Sequence, residues 1–292
     1  MSRSAPAFLH GCTLLAALAM LSPALSAAPP MKAAAAPTAA DRIAHRFADY
    51  GHTGAFLLQR DGAAPQTLHD DAWAATPLRP ASTFKVILSL IALETGALRS
   101  ADEIVEWDGK PYPDKPEWQK AMALRGAMQT SSENYFGTLA TRIGHERLAG
   151  WVQRVGYGNG RVGANPPRVW HDGVLTVTAQ QQLAFIDRLR RGDLPFSAKT
   201  IATVKAAMFD SETNGRRIYG KTGTHLDDDG TGHAWWIGWV EAGRGEGDGM
   251  QYNRWPAASF VLGVQLKKMD DRAKRIALGK QLLRDAGVLP AK

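Results

Sequence analysis

The stretch Pro80-Ala81-Ser82-Thr83-Phe84-Lys85, continuing through Val-Ile-Leu-Ser-Leu-Ile-Ala-Leu-Glu-Thr to Gly96, constrains this chain more than any other. Phe84, Ile87, Leu88 and Ile91 recur at helical spacing, and Ser82 and Lys85 stand three apart at the mouth of that apolar run. Residues three apart on a helix share a face, so the hydroxyl and the amine can point into one cleft. A serine is a weak nucleophile until a neighbouring base takes its proton. A lysine can be that base once it is neutral, and apolar surroundings at a buried helix start lower its pKa. The Ser82 amide would lie at the helix N-terminus, where free N–H groups favour an oxyanion. Alone the pair is a weak signal, because Ser-x-x-Lys arises about once by chance in a chain of this length.

The beginning of the chain restricts its compartment. Met-Ser-Arg-Ser, an apolar segment from Cys12 to Leu21, and Ser-Pro-Ala-Leu-Ser-Ala-Ala read as a secretory signal peptide over residues 1–27, cut near Ala27 or Ala28. The apolar run is too short to span a membrane, and Pro23, Pro29 and Pro30 end it too early for a buried helix. The sequence therefore predicts an exported, periplasmic protein with no stable membrane anchor. Its one cysteine, Cys12, leaves with the signal, so the mature chain forms no disulfide. The net charge of +7 comes without a basic block or a basic-aromatic run. That excess suits a cleft for small anionic substrates and gives no support to nucleic-acid binding.

Residues 28–40 are Ala/Pro-rich and read as a disordered lead-in to one domain spanning 41–292. Asp41 is the expected N-cap of a helix from Arg42 to Tyr50. Gly54 to Arg60 and Gln66 to His69 read as strands around an Asp61-Gly62 turn. Trp107 to Trp118, rich in Pro, Gly and charge, reads as a surface loop. Helical spacing then dominates a subdomain from about 118 to 191, with helices at Leu124–Gly126, Tyr135–Ile143, Glu146–Val155 and Ala179–Arg190, followed by Ser197–Met208. Strands return at Arg217–Thr224, Ala234–Glu241 and Ala258–Leu266, and Asp270 to Ala286 closes the chain as a helix. The tryptophans at 235, 236 and 239 read as sheet core and cleft wall. His225 to His233 reads as a solvated hairpin loop with no metal-ligand spacing. The predicted fold is α/β (α+β): an antiparallel sheet built from N- and C-terminal segments, flanked by helices, with an inserted all-helical subdomain.

Lys221-Thr222-Gly223-Thr224 is the second chemical signal. Lys221 takes an inward position on an expected edge strand. Gly223 allows a ligand close to the backbone, and the Thr224 amide can join that of Ser82 as an oxyanion donor. Thr130-Ser131-Ser132-Glu133-Asn134 lies between the two signals at a helix start, offering a hydroxyl to pass a proton to a leaving nitrogen. Ser-x-x-Lys, a serine in a helical insertion, and a late Lys-Thr-Gly, in that order, form the pattern of serine β-lactamases and penicillin-binding proteins. The three together set aside the reading of Ser82 and Lys85 as an ordinary helix start.

From about Gly54 to Pro290 the chain resembles the class D, oxacillinase-type β-lactamases. Pro-Ala-Ser-Thr-Phe-Lys, Leu-Arg-Gly-Ala-Met-Gln-Thr-Ser, Leu-Pro-Phe-Ser, Gly-Lys-Thr-Gly-Thr and Ala-Trp-Trp-Ile-Gly-Trp-Val-Glu carry the resemblance. Tyr157-Gly158-Asn159 sets that class apart from its relatives. The resemblance implies that Ser82 is the acylated nucleophile and that Lys85 captures carbon dioxide as a carbamate, serving as general base in acylation and deacylation. Trp170 is implied as the indole donor to that carbamate, Ser131 as proton shuttle and Lys221 as its supporting cation. Thr222 and Arg275 are implied as contacts to the substrate carboxylate; Tyr157 itself reads as a loop anchor rather than a catalyst. The implied partners are small β-lactams, penicillins first; the chain itself would be a monomer or homodimer, and no metal is implied. The competing readings are a penicillin-binding protein or D,D-peptidase, and a β-lactam sensor that is acylated with little turnover.

One position departs from the resemblance. The middle motif of class D is usually Ser-x-Val or Ser-x-Ile, whereas this alignment puts Glu133 at the apolar place. A carboxylate beside a carbamate is a like-charge pair in a low-dielectric pocket. Three arrangements are compatible with the sequence. Glu133 turns outward and leaves the mechanism intact; it pairs with an uncarboxylated Lys85 and slows deacylation; or it is the base for the deacylating water, as a glutamate is in class A enzymes. Ser132-Glu133-Asn134 is an alternative Ser-x-Asn motif, and its one-residue shift against the other motifs favours Ser131.

Overall fold

The computed structural model describes residues 36–242, 256–267 and 272–290. The expected signal peptide and most of the expected lead-in lie outside these residues, as does Asp270, the expected start of the last helix. The first helix, α1 (Ala39–Tyr50), begins earlier than expected. Thr38 is its N-cap, and Asp41 completes a capping box from the third helical position instead of capping the helix itself. Strands β1 (Gly54–Arg60) and β2 (Gln66–His69) follow, then a four-residue helix α2 (Asp71–Ala74) and the central α3 (Phe84–Glu94). Every α3 residue from Phe84 to Ala92 is buried, which explains why its sequence is apolar all round apart from Lys85 and Ser89.

Helices α4 (Leu124–Thr130), α5 (Glu133–Ile143), α6 (His145–Val155), α7 (Ala179–Arg191) and α8 (Ala198–Ala207) complete the helical part, so this layer reaches beyond residue 191. Ser197 caps α8 and also hydrogen-bonds the Glu94 carboxylate at the end of α3. Next comes β3 (Phe209–Thr213), a strand the sequence reading does not anticipate, turning through Asn214-Gly215 into β4 (Arg216–Leu226). Both turn residues have positive φ, 48° and 69°, as a two-residue hairpin turn with the right twist requires. β5 (Gly232–Ala242), β6 (Ala258–Leu266) and α9 (Arg272–Asp285) finish the described chain. The β4–β5 connection is only 227–231. His225 and His233 are therefore paired strand residues rather than members of a solvated loop, and His233 is buried.

The strands form one antiparallel sheet in the order β2-β1-β6-β5-β4-β3, with N-terminal β1 joined to C-terminal β6. Lys221 thus does not lie on an edge strand, although β3 pairs only with Arg216–Tyr219 and leaves the Lys221–Leu226 half of β4 open on that side. Side chains alternate across the sheet. Trp235, Ile237 and Trp239 join the core under the helical layer, whereas Trp236, Phe260 and Leu262 pack on the other face with Ile43, Phe47, Leu278 and Leu282. The three tryptophans are core on both faces, and none lines the cleft described below. No helix among the described residues is long and apolar enough to cross a membrane.

Gly263 marks the tightest contact on the helical face, where a Cβ would overlap the Trp73 ring of α2 and press on Trp235. Gly263→Ala is expected to destabilise the chain by about 1–3 kcal/mol through overpacking, read as a lower denaturant midpoint.

Candidate active site

Pro80 to Thr83 form a tight turn ahead of α3, held by the Thr83 amide and hydroxyl donating to the Pro80 carbonyl at 3.2 and 2.6 Å. Ala81 has φ 47°, a conformation costly for a residue with a Cβ, so the surrounding structure holds it there. Gly223 of β4 is what brings the strand against this turn. A Cβ at that position would come within 3.0 Å of the Pro80 carbonyl and 3.1 Å of Thr83. The close approach anticipated for a ligand is thus made first by the nucleophile turn itself.

Lys85 lies one residue inside α3 with no exposed surface. Its ammonium donates to Ser82 Oγ at 3.0 Å, to the Ser131 carbonyl at 2.7 Å and to Ser131 Oγ at 3.3 Å. Glu133 Oε1 is 2.5 Å away in an ion pair. The rings of Trp118, Phe136 and Trp170 stand 5.6–5.9 Å from the amine and wall it off. Burial pushes the Lys85 pKa down, and the Glu133 charge offsets only part of that shift. On Glu133 burial acts upward, but the charges of Lys85 and His171 and their hydrogen bonds outweigh it, holding the carboxyl well below the usual range.

Ser131 is the C-cap of α4 with left-handed backbone, φ 60° and ψ 40°, which aims both its carbonyl and its hydroxyl at Lys85. Ser132 is spent on capping α5, accepting from the Tyr135 amide. Asn134 holds the preceding loop, donating to the Glu106 carbonyl and accepting from the Asp108 amide. Of the two candidate serines, the structure brings Ser131 to the site. Glu133 is the first residue of α5, a position where a carboxylate is favoured by the helix dipole. Its Oε2 accepts from the Trp170 indole N–H at 3.0 Å.

From the sheet, Lys221 stands opposite Ile237 and so points to the helical face. It donates to Ser131 Oγ at 2.9 Å. Thr222, Gly223, Thr224 and Arg275 border the cleft; Arg275 donates to the carbonyls of Gly223 and Trp235 and to Thr224 Oγ1. Tyr157 is buried behind the site, its hydroxyl donating to Gln182 Oε1, and Gln182 in turn donates to Thr83 Oγ1. The cleft itself holds about 1200 Å³ and is bordered by Ser82, Ser131, Glu133 and the Trp107–Trp118 loop. Two contributors escape the sequence reading. Trp118 roofs Lys85, and His171 places Nε2 3.5 Å from Glu133 Oε1. His171 directly follows Trp170, and that adjacency is the only signal that could have found it.

Residues 57–246 match the family model of the penicillin binding protein transpeptidase domain. β-Lactamase OXA-5 of Pseudomonas aeruginosa is 35% identical over 192 residues, which cover 65% of this chain and 72% of that relative. Regulatory protein BlaR1 of Bacillus licheniformis is 32% identical over 195 residues, covering 67% of this chain and 32% of that protein. Among solved structures, the class D β-lactamase YbXI from Nostoc superposes with a TM-score of 0.76 at 30% identity, over 85% of this chain and 99% of that one.

The Lys85–Glu133 pair has a consequence for stability. Because folding depresses the Glu133 pKa, its contribution is complete above the unfolded value of 4.5 and is lost as pH falls towards the folded value. Glu133→Gln leaves the buried Lys85 ammonium without its counter-charge, so it is expected to be less stable than the parent at pH 7. The gap should narrow steadily below about pH 4.5, the unfolded value for this carboxyl; denaturant melts of both proteins across pH 3–7, a range spanning the ordinary carboxylate pKa, check this.

Proposed function

We propose that this chain, which belongs to the penicillin-binding-protein transpeptidase family and to its class D β-lactamase branch, hydrolyses β-lactams through an acyl-enzyme on Ser82. The observation that carries this reading is a continuous hydrogen-bonded chain, Ser82 Oγ to Lys85 Nζ to Ser131 Oγ to Lys221 Nζ, at 3.0, 3.3 and 2.9 Å. Lys85 hands one proton to the Glu133 it is paired with and, as the neutral amine that burial favours, takes the Ser82 proton as the oxygen attacks the lactam carbonyl; it relays that proton to Ser131 and recovers its own from Glu133. Ser131 then passes a proton to the departing nitrogen, with Lys221 holding its hydroxyl in place. The amides of Ser82 and Thr224 receive the oxyanion. Thr222 and Arg275 attract the substrate carboxylate, in keeping with the positive net charge. The N-terminal segment delivers the enzyme to the periplasm as a signal peptide.

The carbamate expected on Lys85 does not fit the residues around it. The amine is already saturated by two oxygens of Ser131, by Ser82 and by Glu133, and a second carboxylate there would face a like charge at short range.

Incubation with a penicillin should yield a mass adduct on the peptide carrying Ser82, together with multiple turnover followed by loss of ring absorbance. Ser82→Ala should show neither, and Ser131→Ala should lose about 100-fold or more in kcat/KM. A single stoichiometric burst without turnover would instead favour a regulatory, acylated role, to which the likeness to BlaR1 gives weight.

A further inference from the structure

We infer that the Glu133 carboxylate replaces a lysine carbamate in this enzyme and is the general base that activates the deacylating water. The inference rests on the acyl-enzyme reading above. Its first support is the identity of the donors. The indole N–H of Trp170, the group the resemblance assigns to a carbamate, donates to Glu133 Oε2 at 3.0 Å. The Lys85 ammonium grips the other oxygen at 2.5 Å. An anionic carboxylate therefore already occupies the place between indole and lysine, supplied by the polypeptide instead of by dissolved carbon dioxide.

Its second support is position. Glu133 keeps about a quarter of its side chain exposed, whereas Lys85 is fully enclosed, and Glu133 borders the same cleft as Ser82. Lys85 donates both to Ser82 Oγ and to Glu133 Oε1, so nucleophile and carboxylate share one ammonium. A base for deacylation needs access to water and proximity to the ester, and of the two groups only Glu133 has both. His171 on the cleft side and Trp170 on the core side hold the carboxylate in place.

The proton inventory closes. Water attacks the acyl carbonyl carbon and gives a proton to Glu133. As the bond to Ser82 Oγ breaks, the Lys85 ammonium protonates the departing oxygen across the 3.0 Å hydrogen bond. Glu133 then returns its proton to the neutral Lys85, and the ion pair is restored.

The test exposes the wild-type chain to 13C-labelled bicarbonate and records NMR alongside penicillin hydrolysis, with dissolved carbon dioxide stripped and then restored. The wild type is expected to give no carbamate resonance and to turn over within about twofold under both conditions. Glu133→Val, which removes the competing anion, should acquire the resonance and bicarbonate-dependent turnover. Glu133→Gln should acylate Ser82 but deacylate about 100-fold more slowly or worse, so that its adduct persists in the mass spectrum. A carbamate resonance in the wild type, or wild-type turnover that rises several-fold with bicarbonate, overturns the inference while leaving the β-lactamase reading intact. Acylation of the wild type without turnover also overturns it. Failure of the wild type to acylate at all sinks the acyl-enzyme reading instead, and the wild-type results need neither variant to fold.

Discussion

The ammonium of Lys85 is enclosed by three aromatic rings and has no exposed surface. An unpaired charge in that setting costs several kcal/mol, so the fold has to bring it partners from outside its own helix. They come from the α4–α5 junction, where the left-handed Ser131 presents carbonyl and hydroxyl together and Glu133 opens the next helix with a carboxylate. Trp170 then fixes that carboxylate from a third segment. One buried cation thereby ties the nucleophile turn, the helix junction and the Trp170 loop into a single polar cluster within an otherwise apolar layer. Such a cluster rewards complete satisfaction and penalises any missing member.

The sheet contributes by register. β4 alternates its side chains, and the pairing of Lys221 with Ile237 sends the lysine to the helical face while its neighbours Thr222 and Thr224 are out of phase with it. A one-residue slip would reverse that set and remove the cation from Ser131. The same face needs Gly223 two residues on from Lys221, because only a residue without Cβ lets the strand lie against the Pro80–Thr83 turn. The short motif Lys-Thr-Gly is thus two structural demands two residues apart on one strand face, a cation directed inward and a backbone with nothing on it.

Much of the architecture was legible in the chain. The apolar run of α3, the alternating strands and the helical stretch between them announced a sheet closed by both ends of the chain around a helical layer. The misses have physical causes. β3 is a short edge strand with an alternation of half-buried and exposed residues, so its hydrophobic signal is faint, although Asn214-Gly215 marked the hairpin that creates it. Asp41 looked like a cap because both cap and third helical residue carry side-chain oxygens, and only the backbone bend at Thr38 separates them. The strands carrying His225 and His233 run further than their polar ends suggested, because His233 buries its ring and donates to the Arg79 carbonyl; that burial holds its pKa down at about 4, keeping the ring neutral.

The sequence by itself determined the three chemical motifs, their order and the kind of element each sits on, since these follow from local spacing and hydrophobic period. Only the tertiary structure decided which serine of the Ser131-Ser132 pair meets the lysines, because a left-handed backbone at one residue and a helix cap at the next send adjacent hydroxyls to different partners. It also decided the direction of Glu133. Read along the chain, that carboxylate could turn outward or inward; in the folded protein a buried ammonium, an indole N–H and an imidazole converge on it, and the energy of leaving that ammonium unpaired selects the inward direction.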